Sequence, residues 1–206
     1  MAEFRLEDFD KVLIVEGYSD LQFYAAVFRE LGKENVAFIK EFGGKGNITK
    51  NLELFITPQL VTDKATIGVI VDADDNPAGT FTQVRHVLEQ LTGQKIANSG
   101  DWSGGDPNVG LFVVPDEKTP GEIETLVWDA WCADAANNAR RDCIHEFVDC
   151  MGKAGLVAKS PSKGLIGSLL AIAHDEDPRL GCGARANVFD LSHAALSDLR
   201  DFLNAY

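Results

Sequence analysis

Five acidic residues follow three apolar runs of the sequence that have the character of buried strands. They are Glu16, at the end of the run 11–16; Asp72 and Asp74, after 65–71; and Glu122 and Glu124, after 109–114. In an open parallel sheet, the carboxyl ends of the strands form the edge where ligands bind. Carboxylates gathered there repel one another, and Mg²⁺ or Mn²⁺ would relieve that repulsion because both ions prefer oxygen ligands. A single aspartate after a strand more often forms a turn or caps a helix. The prediction of a metal site therefore depends on finding acidic residues at three strand ends.

Strands that alternate with helices must position these side chains. The apolar runs predict strands at 11–16, 35–40, 65–71 and 109–114. Between them, the spacing predicts a helix capped by Ser19 and stopped by Gly32, a short helix over 48–56, and one from Asn76 to about residue 91. Thr119 to Glu122 is expected to open a further helix, with Pro120 at its first position. This alternation with short connections predicts an α/β fold, a Rossmann-like parallel sheet flanked by helices.

The strand signals stop near residue 134. Helices are predicted over 135–151, 162–173 and 191–203, and the last of these has an apolar face. We therefore expect an α/β core over residues 1–133 and a helical C-terminal extension over 134–206. The extension is expected to pack on the core, so that the two parts form one structural domain.

The composition narrows the class of protein. The chain of 206 residues is 45% hydrophobic, which excludes wholesale disorder. No apolar run reaches the roughly 18–20 residues of a membrane span, and the charged start of the chain does not resemble a secretory signal. We therefore expect a cytoplasmic protein without a membrane partner. With 32 acidic and 19 basic residues, the net charge is −13, a field that repels nucleic acid unless cations intervene.

Three segments together resemble a known domain. The segments VLIVEGYSD, GVIVDADDN and PGEIE resemble the Toprim domain shared by topoisomerases, bacterial primases and the overcoming-lysogenization-defect (OLD) family of nucleases. The resemblance covers residues 11 to about 128, and the order and spacing of the segments carry it. The later segment SPSKGLIGSLLA is similar to the lysine-bearing helical region of small stand-alone OLD-like Toprim proteins, which points to Lys163.

The resemblance implies a role for each matching residue. Glu16 is expected to be a metal ligand or the general acid/base, and Lys163 is expected to stabilise charge that develops on a phosphate. The expected ligands of Mg²⁺ or Mn²⁺ are Glu16, with Asp20 in support, Asp72, Asp74, Glu122 and Glu124. Thr125 departs from the pattern, because many relatives carry an acidic residue there. Because of this departure, the sequence does not decide whether the site binds a second metal ion.

The function implied is a metal-dependent nuclease, a phosphodiester hydrolase that binds nucleic acid weakly by itself and requires the metal. Long OLD proteins join their Toprim domain to an ATPase domain, whereas this sequence lacks the Walker A pattern G-x-x-x-x-G-K-[ST]. The resemblance therefore makes a separate ATPase or another protein partner plausible. The glycines Gly43, Gly44 and Gly46 fit either a close approach to a phosphate or an ordinary turn. Two alternatives remain open: a catalytically silent Toprim module that binds or regulates, and a metal-dependent phosphohydrolase of a nucleotide or small phosphoester.

Overall fold

The computed structural model describes residues 5–43, 48–174 and 177–206. Within these residues, parallel strands form one sheet in the order β2-β1-β3-β4. The strands are β1 (Lys11–Val15), β2 (Phe38–Glu41), β3 (Thr66–Asp72) and β4 (Asn108–Val114). The helices are α1 (Tyr18–Glu30), α2 (Ile48–Phe55), α3 (Pro58–Asp63), α4 (Pro77–Thr92), α5 (Ile123–Ala133), α6 (Asn138–Lys153), α7 (Pro161–Ala173), α8 (Leu180–Arg185) and α9 (Ser197–Asn204). The predicted α/β class, its parallel sheet and the helical C-terminal region are confirmed.

The two faces of the sheet are covered by different helices. Successive side chains of a strand point to opposite faces, so Leu13 and Val15 of β1 pack with α1 and the C-terminal helices, whereas Val12 and Ile14 pack with α2, α3 and α4. Burial on both faces explains why the inner strands read as continuous apolar runs. None of the helices in the described part of the chain is long and apolar enough to cross a membrane.

The end of the chain lies against the centre of the sheet. The buried hydroxyl of Tyr206 donates a hydrogen bond to the carbonyl oxygen of Val12, at 3.0 Å. That hydroxyl occupies the space that a Cβ at Gly68 would need, and the Trp102 ring fills the corresponding space at Gly110. The Trp102 ring stacks on Phe202 of α9, with 4.6 Å between the ring centroids. Glycine in two neighbouring strands therefore lets the C-terminal helix approach the sheet.

Two predicted helix starts are wrong, each for a local reason. Helix α5 begins at Ile123 rather than Pro120, because the backbone of Gly121 pairs with that of Asp74 and stays extended up to Glu122. Helix α1 begins at Tyr18 with Gly17 as its N-cap, so Ser19 is not the cap. The hydroxyl of Ser19 instead accepts a hydrogen bond from the Gly181 backbone N–H, at 3.1 Å, where α8 packs on α1.

Other differences involve short elements. The helix expected over 191–203 divides into a 3₁₀ turn, Ala194–Leu196, and α9, because Asp190 and His193 accept local backbone hydrogen bonds. The second strand is Phe38–Glu41 rather than 35–40, since Asn35 has a φ of 59° and ends the preceding turn. The short helices α3 and α8 were not predicted. Helices of one or two turns depend on tertiary contacts more than on propensity.

Candidate functional site

The sheet brings acidic residues from distant parts of the sequence to one edge. Its strands are parallel, so all their carboxyl ends lie on the same side. Glu16 directly follows β1, Asp72 ends β3, and the N-terminus of α5 carries Glu122 and Glu124. The predicted convergence of side chains at this edge is therefore present in the fold.

Backbone amides orient Glu16 and Asp72. The Asp72 N–H donates to Oε1 of Glu16 at 3.0 Å, which links the ends of two neighbouring strands. The Ile123 N–H donates to Oδ1 of Asp72 at 3.1 Å, so the first turn of α5 rests on the end of β3. Amides at a helix N-terminus favour negative charge. This chain of contacts fixes the position of α5, and with it Glu122 and Glu124.

Burial makes the ionised forms of these carboxyl groups unfavourable. It raises the pKa of Glu16, and the charges of Asp20 and Asp74 add to this effect. It also raises the pKa of Asp20, although the Asp20 carboxylate accepts a hydrogen bond from the Gly17 N–H at 2.8 Å. Burial and the charge of Glu16 together raise the pKa of Asp72 well above its ordinary value. The edge therefore holds several acidic groups that a nearby cation would stabilise as anions.

Asp74 lies at the rim of the site. Its backbone has a φ of 49°, and it exchanges two hydrogen bonds of 2.8 Å with the backbone of Gly121. Gly121 itself has a φ of 144°, in the region that favours glycine, and a Cβ there would crowd Thr125. Both Asp74 and its neighbour Asp75 are exposed. Asp74 is therefore open to solvent, in contrast to the half-buried Asp72.

A compact set of donors surrounds Glu122. The Lys163 ammonium lies 2.5 Å from its Oε2, while its Oε1 accepts hydrogen bonds from Ser162, at 3.0 Å, and from Ser160. Burial acts to raise the pKa of Glu122, but these donors outweigh it and lower that pKa. Burial acts to lower the pKa of Lys163, but the surrounding carboxylates outweigh it and raise that pKa. The pair is therefore ionised at neutral pH.

Glu124 lies two residues further along α5 and has a different environment. Its side chain is buried, and among the described residues its Oε2 has no hydrogen-bond partner. The Lys163 Nζ lies 3.8 Å from that oxygen, beyond hydrogen-bond distance. Burial raises the pKa of Glu124 to about 7, against the opposing charge of Lys163. Glu124 thus has a buried carboxylate oxygen that could bind a cation.

The residues at this edge suit a hard divalent cation only in part. All the candidate ligands are carboxylates, and the Glu124 Oε2 atom lacks a partner. Within residues 5–43, 48–174 and 177–206, however, no group of three or more Asp, Glu, His or Cys side chains is arranged to hold a metal ion. Mg²⁺ is commonly held by only one or two carboxylates, together with waters and substrate phosphates. The donor set is compatible with that mode of binding.

Sequence reasoning missed several residues at this edge. Glu41, the last residue of β2, raises the pKa of Asp20 through its charge. The buried phenol of Tyr24 lies near four of the carboxylates, and burial first, then their charges, raises its pKa well above 10.0. Ser160 and Ser162 contact Glu122. A strand-end pattern could have identified Glu41, whereas Tyr24 looks like any other core residue of α1.

The loop glycines divide between described and undescribed residues. Gly43 has a φ of 77°, and its N–H donates to the carboxylate of Glu41. Gly44 and Gly46 lie outside the described residues. The two interpretations of this loop, a phosphate contact and a simple turn, therefore stay as predictions.

The fold and the site define an α/β protein with an acidic centre at the carboxyl edge of a parallel sheet. Residues 10–206 match the model of the family described as "Protein of unknown function (DUF3226)". Because the match covers nearly the whole chain, the chain belongs to this family. In comparisons with curated proteins and with solved structures, nothing matches the chain.

Proposed function

We propose that the chain is a Toprim-type, metal-dependent phosphodiester hydrolase that acts on nucleic acid. The observation that carries this proposal is the convergence of Glu16, Asp72 and Glu124 with the Lys163 ammonium at one edge of the sheet. Acidic groups that favour a cation, beside a fixed positive charge, suit a substrate with a negatively charged phosphate. The resemblance of VLIVEGYSD, GVIVDADDN and PGEIE to Toprim domains is a separate support.

The side chains have distinct roles in the proposed reaction. Asp72 and Glu124 would hold Mg²⁺ or Mn²⁺, with Asp20 and Asp74 nearby. When bound, the ion would polarise the phosphate and acidify the attacking water. The water oxygen would form a bond to phosphorus, the bond from phosphorus to the leaving oxygen would break, and the leaving oxygen would take a proton from solvent water. Glu16 accepts the proton of the water, because the Asp72 N–H fixes its carboxylate and burial raises its pKa.

Lys163 would stabilise the charge that develops on the phosphate. Its side chain is about half exposed, at 52%, and its ammonium contacts Glu122. A lysine ammonium is a compact point charge suited to phosphate oxygens. The position of Lys163 beside Glu124 would place it next to the phosphate that the metal ion contacts.

One observation favours a second candidate, the hydrolysis of a nucleotide or another small phosphoester. A cleft of about 610 Å³ adjoins the site and is lined by Glu122, Ser160, Ser162 and Trp128, among others. Its size suits a small molecule. The net charge of −13 also disfavours a long polyanion without a more basic partner.

The substrate class is tested by direct assay. Plasmid, linear and single-stranded DNA, RNA, and nucleoside phosphates are incubated with the purified chain in Mg²⁺ or Mn²⁺. Cleavage of a polymer supports the nuclease, and release of phosphate from nucleotides alone supports the second candidate. Inactivity on every substrate, with Mn²⁺ shown to bind, would favour a Toprim module that only binds or regulates. Glu146→Gln, an exposed change on α6, controls for loss of one negative charge.

A further inference from the structure

Both carboxylate oxygens of Glu122 are already engaged within the protein. Oε2 contacts the Lys163 Nζ, and Oε1 accepts hydrogen bonds from Ser160 and Ser162. A carboxylate offers about four acceptor sites, and three of them are used here. The residue is 7% exposed, so solvent has little access to the remaining site.

Glu124 differs from Glu122 in this respect. Its Oε2 is buried and lacks a hydrogen-bond partner among the described residues, and the Lys163 Nζ lies 3.8 Å away. The two glutamates are two residues apart and of the same residue type. The carboxylate of Glu122 accepts hydrogen bonds from the protein on both oxygens. That of Glu124 has an oxygen that a bound cation would contact instead.

The contacts around Glu122 continue to the backbone of α7. Ser160 is the N-cap of α7, and its Oγ accepts a hydrogen bond from the Lys163 N–H at 3.3 Å. Thr125 Oγ1 accepts from the Glu122 N–H at 3.2 Å and lies 3.0 Å from the Ser162 Oγ. The hydroxyls of α5 and α7 thus fix Glu122 from two sides. Thr125, where an acidic residue was expected, belongs to this network.

We propose that Glu122 is a positioning residue that fixes the Lys163 ammonium beside Glu124, rather than a ligand of the metal ion. Lys163 has a flexible four-carbon stem and a half-exposed side chain, so it would sample many rotamers without a fixed partner. Glu122 confines it to one. This inference rests on the proposed function, because it assigns roles within the same site.

The first test needs no enzymatic activity. An amine-selective acylating reagent is applied to wild type and to Glu122→Gln, and modification is measured by mass spectrometry at Lys163 and at the exposed neighbour Lys159. Modification of Lys163 should rise severalfold in the variant, with that of Lys159 unchanged. Ser162→Ala, which keeps the ion pair, should give a smaller rise. An unchanged rate at Lys163 in a folded Glu122→Gln would overturn the proposal.

The second test compares matched changes on α5. Mn²⁺ affinity should fall strongly in Glu124→Gln and far less in Glu122→Gln. An equal fall in both variants would make Glu122 a ligand and overturn the proposal. In activity assays, Glu122→Gln should lower kcat by up to about 100-fold, with little change in KM, and should cause no further loss in a Lys163→Gln background. Additive losses would also contradict the proposal.

The two proposals can fail separately. A wild-type chain that neither binds Mn²⁺ nor cleaves any phosphoester would refute the proposed function. The modification of Lys163 would still decide whether Glu122 positions it.

Discussion

Two groups of acidic side chains in this protein have opposite pKa shifts. At the carboxyl edge of the sheet the pKa is raised at Glu16, Asp20, Asp72 and Glu124, with Glu122 the exception because of its donors. On the surface the pKa is lowered, at Asp116, Asp177 and Asp190. Aspartate occurs in both groups with opposite shifts, so the difference comes from the surroundings of the carboxyl groups.

The surface group owes its shifts to near neighbours in the sequence. At Asp116, burial is the largest single effect and acts to raise the pKa, but the hydrogen bonds from Lys118 and Thr119 together outweigh it, with their N–H groups at 2.6 and 2.7 Å. The Asp190 carboxylate accepts hydrogen bonds from the Ser192 hydroxyl and N–H, at 2.6 and 2.9 Å. Hydrogen bonds from Arg179 lower the pKa of Asp177 to about 2. In each of these segments, the hydrogen bonds that stabilise the carboxylate come from residues two or three positions away in the sequence.

The strand-end group depends on distant segments and on burial. Glu16 and Asp72 are 56 residues apart, and Asp72 and Ile123 are 51 apart. Desolvation and like charges disfavour ionisation, and few local donors compensate. Acidic groups held in this way mark candidate functional sites. In our proposal, a cation bound at this edge would stabilise these groups as anions, whereas the surface group needs no such partner.

The largest effect expected is on catalysis. Glu16→Gln preserves the shape of the side chain but removes its charge and its capacity to accept a proton. We expect activity to fall by about 10²–10⁴-fold, while the free energy of unfolding stays the same or rises because carboxylate repulsion is relieved. Initial rates and thermal melts measure the two quantities, with Glu146→Gln as the control. Activity within about tenfold of wild type would remove Glu16 from the mechanism.

A second prediction concerns pH. Burial raises the pKa of Glu124 from 4.5 to about 7, so between these values the folded protein holds a proton that the unfolded chain has lost. Ionisation of Glu124 should therefore lower the free energy of unfolding as pH rises through this window, by up to roughly 3 kcal/mol. The Glu124→Gln variant has no carboxyl group at this position, so this contribution to the pH dependence is absent. Denaturant melts in EDTA at pH 5 and 7.5 should show a shallower decline for the variant, and equal declines would contradict the assignment.

Metal binding should separate the two acidic groups. Mn²⁺ at a hundredfold excess over its Kd should stabilise the wild type by about 2.7 kcal/mol, seen as a rise in Tm. Asp72→Asn/Asp74→Asn should lose most of this increment. Asp116→Asn/Asp190→Asn, the matched double change in the surface group, should retain it. If the two double variants respond alike, the ion binds elsewhere.

The smallest effect is expected in the surface group itself. Asp116→Asn keeps the Oδ1 acceptor for the Lys118 and Thr119 N–H groups, so the loss of stability at neutral pH should be below about 1 kcal/mol. Because the pKa of Asp116 is lowered, its contribution is present above the unfolded pKa and is lost as pH falls. Melts at pH 7 and pH 3 test this. A difference between variant and wild type that grew at pH 3 would contradict it.

The periodicity of the sequence predicted the class of fold and much of the element order. The runs at 65–71 and 109–114 are continuous and apolar because both faces of those strands are buried, and that signal is local. Helix boundaries were less predictable. Pro120 looks like a helix start, but pairing of Gly121 with Asp74 delays the helix to Ile123. No local pattern carries that contact.

The residues that can reach the edge of the sheet are predictable from the order of the strands, because a carboxylate placed directly after a parallel strand lies there. The hydrogen bonds and the burial of each carboxylate, by contrast, depend on the packing of distant segments. Glu122 and Glu124 both belong to PGEIE. Glu122 is hydrogen-bonded by Lys163 and by two serines at the N-terminal end of α7, whereas Glu124 has an oxygen without a hydrogen-bond partner among the described residues. The reason is that hydrogen bonding and desolvation depend on groups that are close in space, and those groups lie about 40 residues away along the chain.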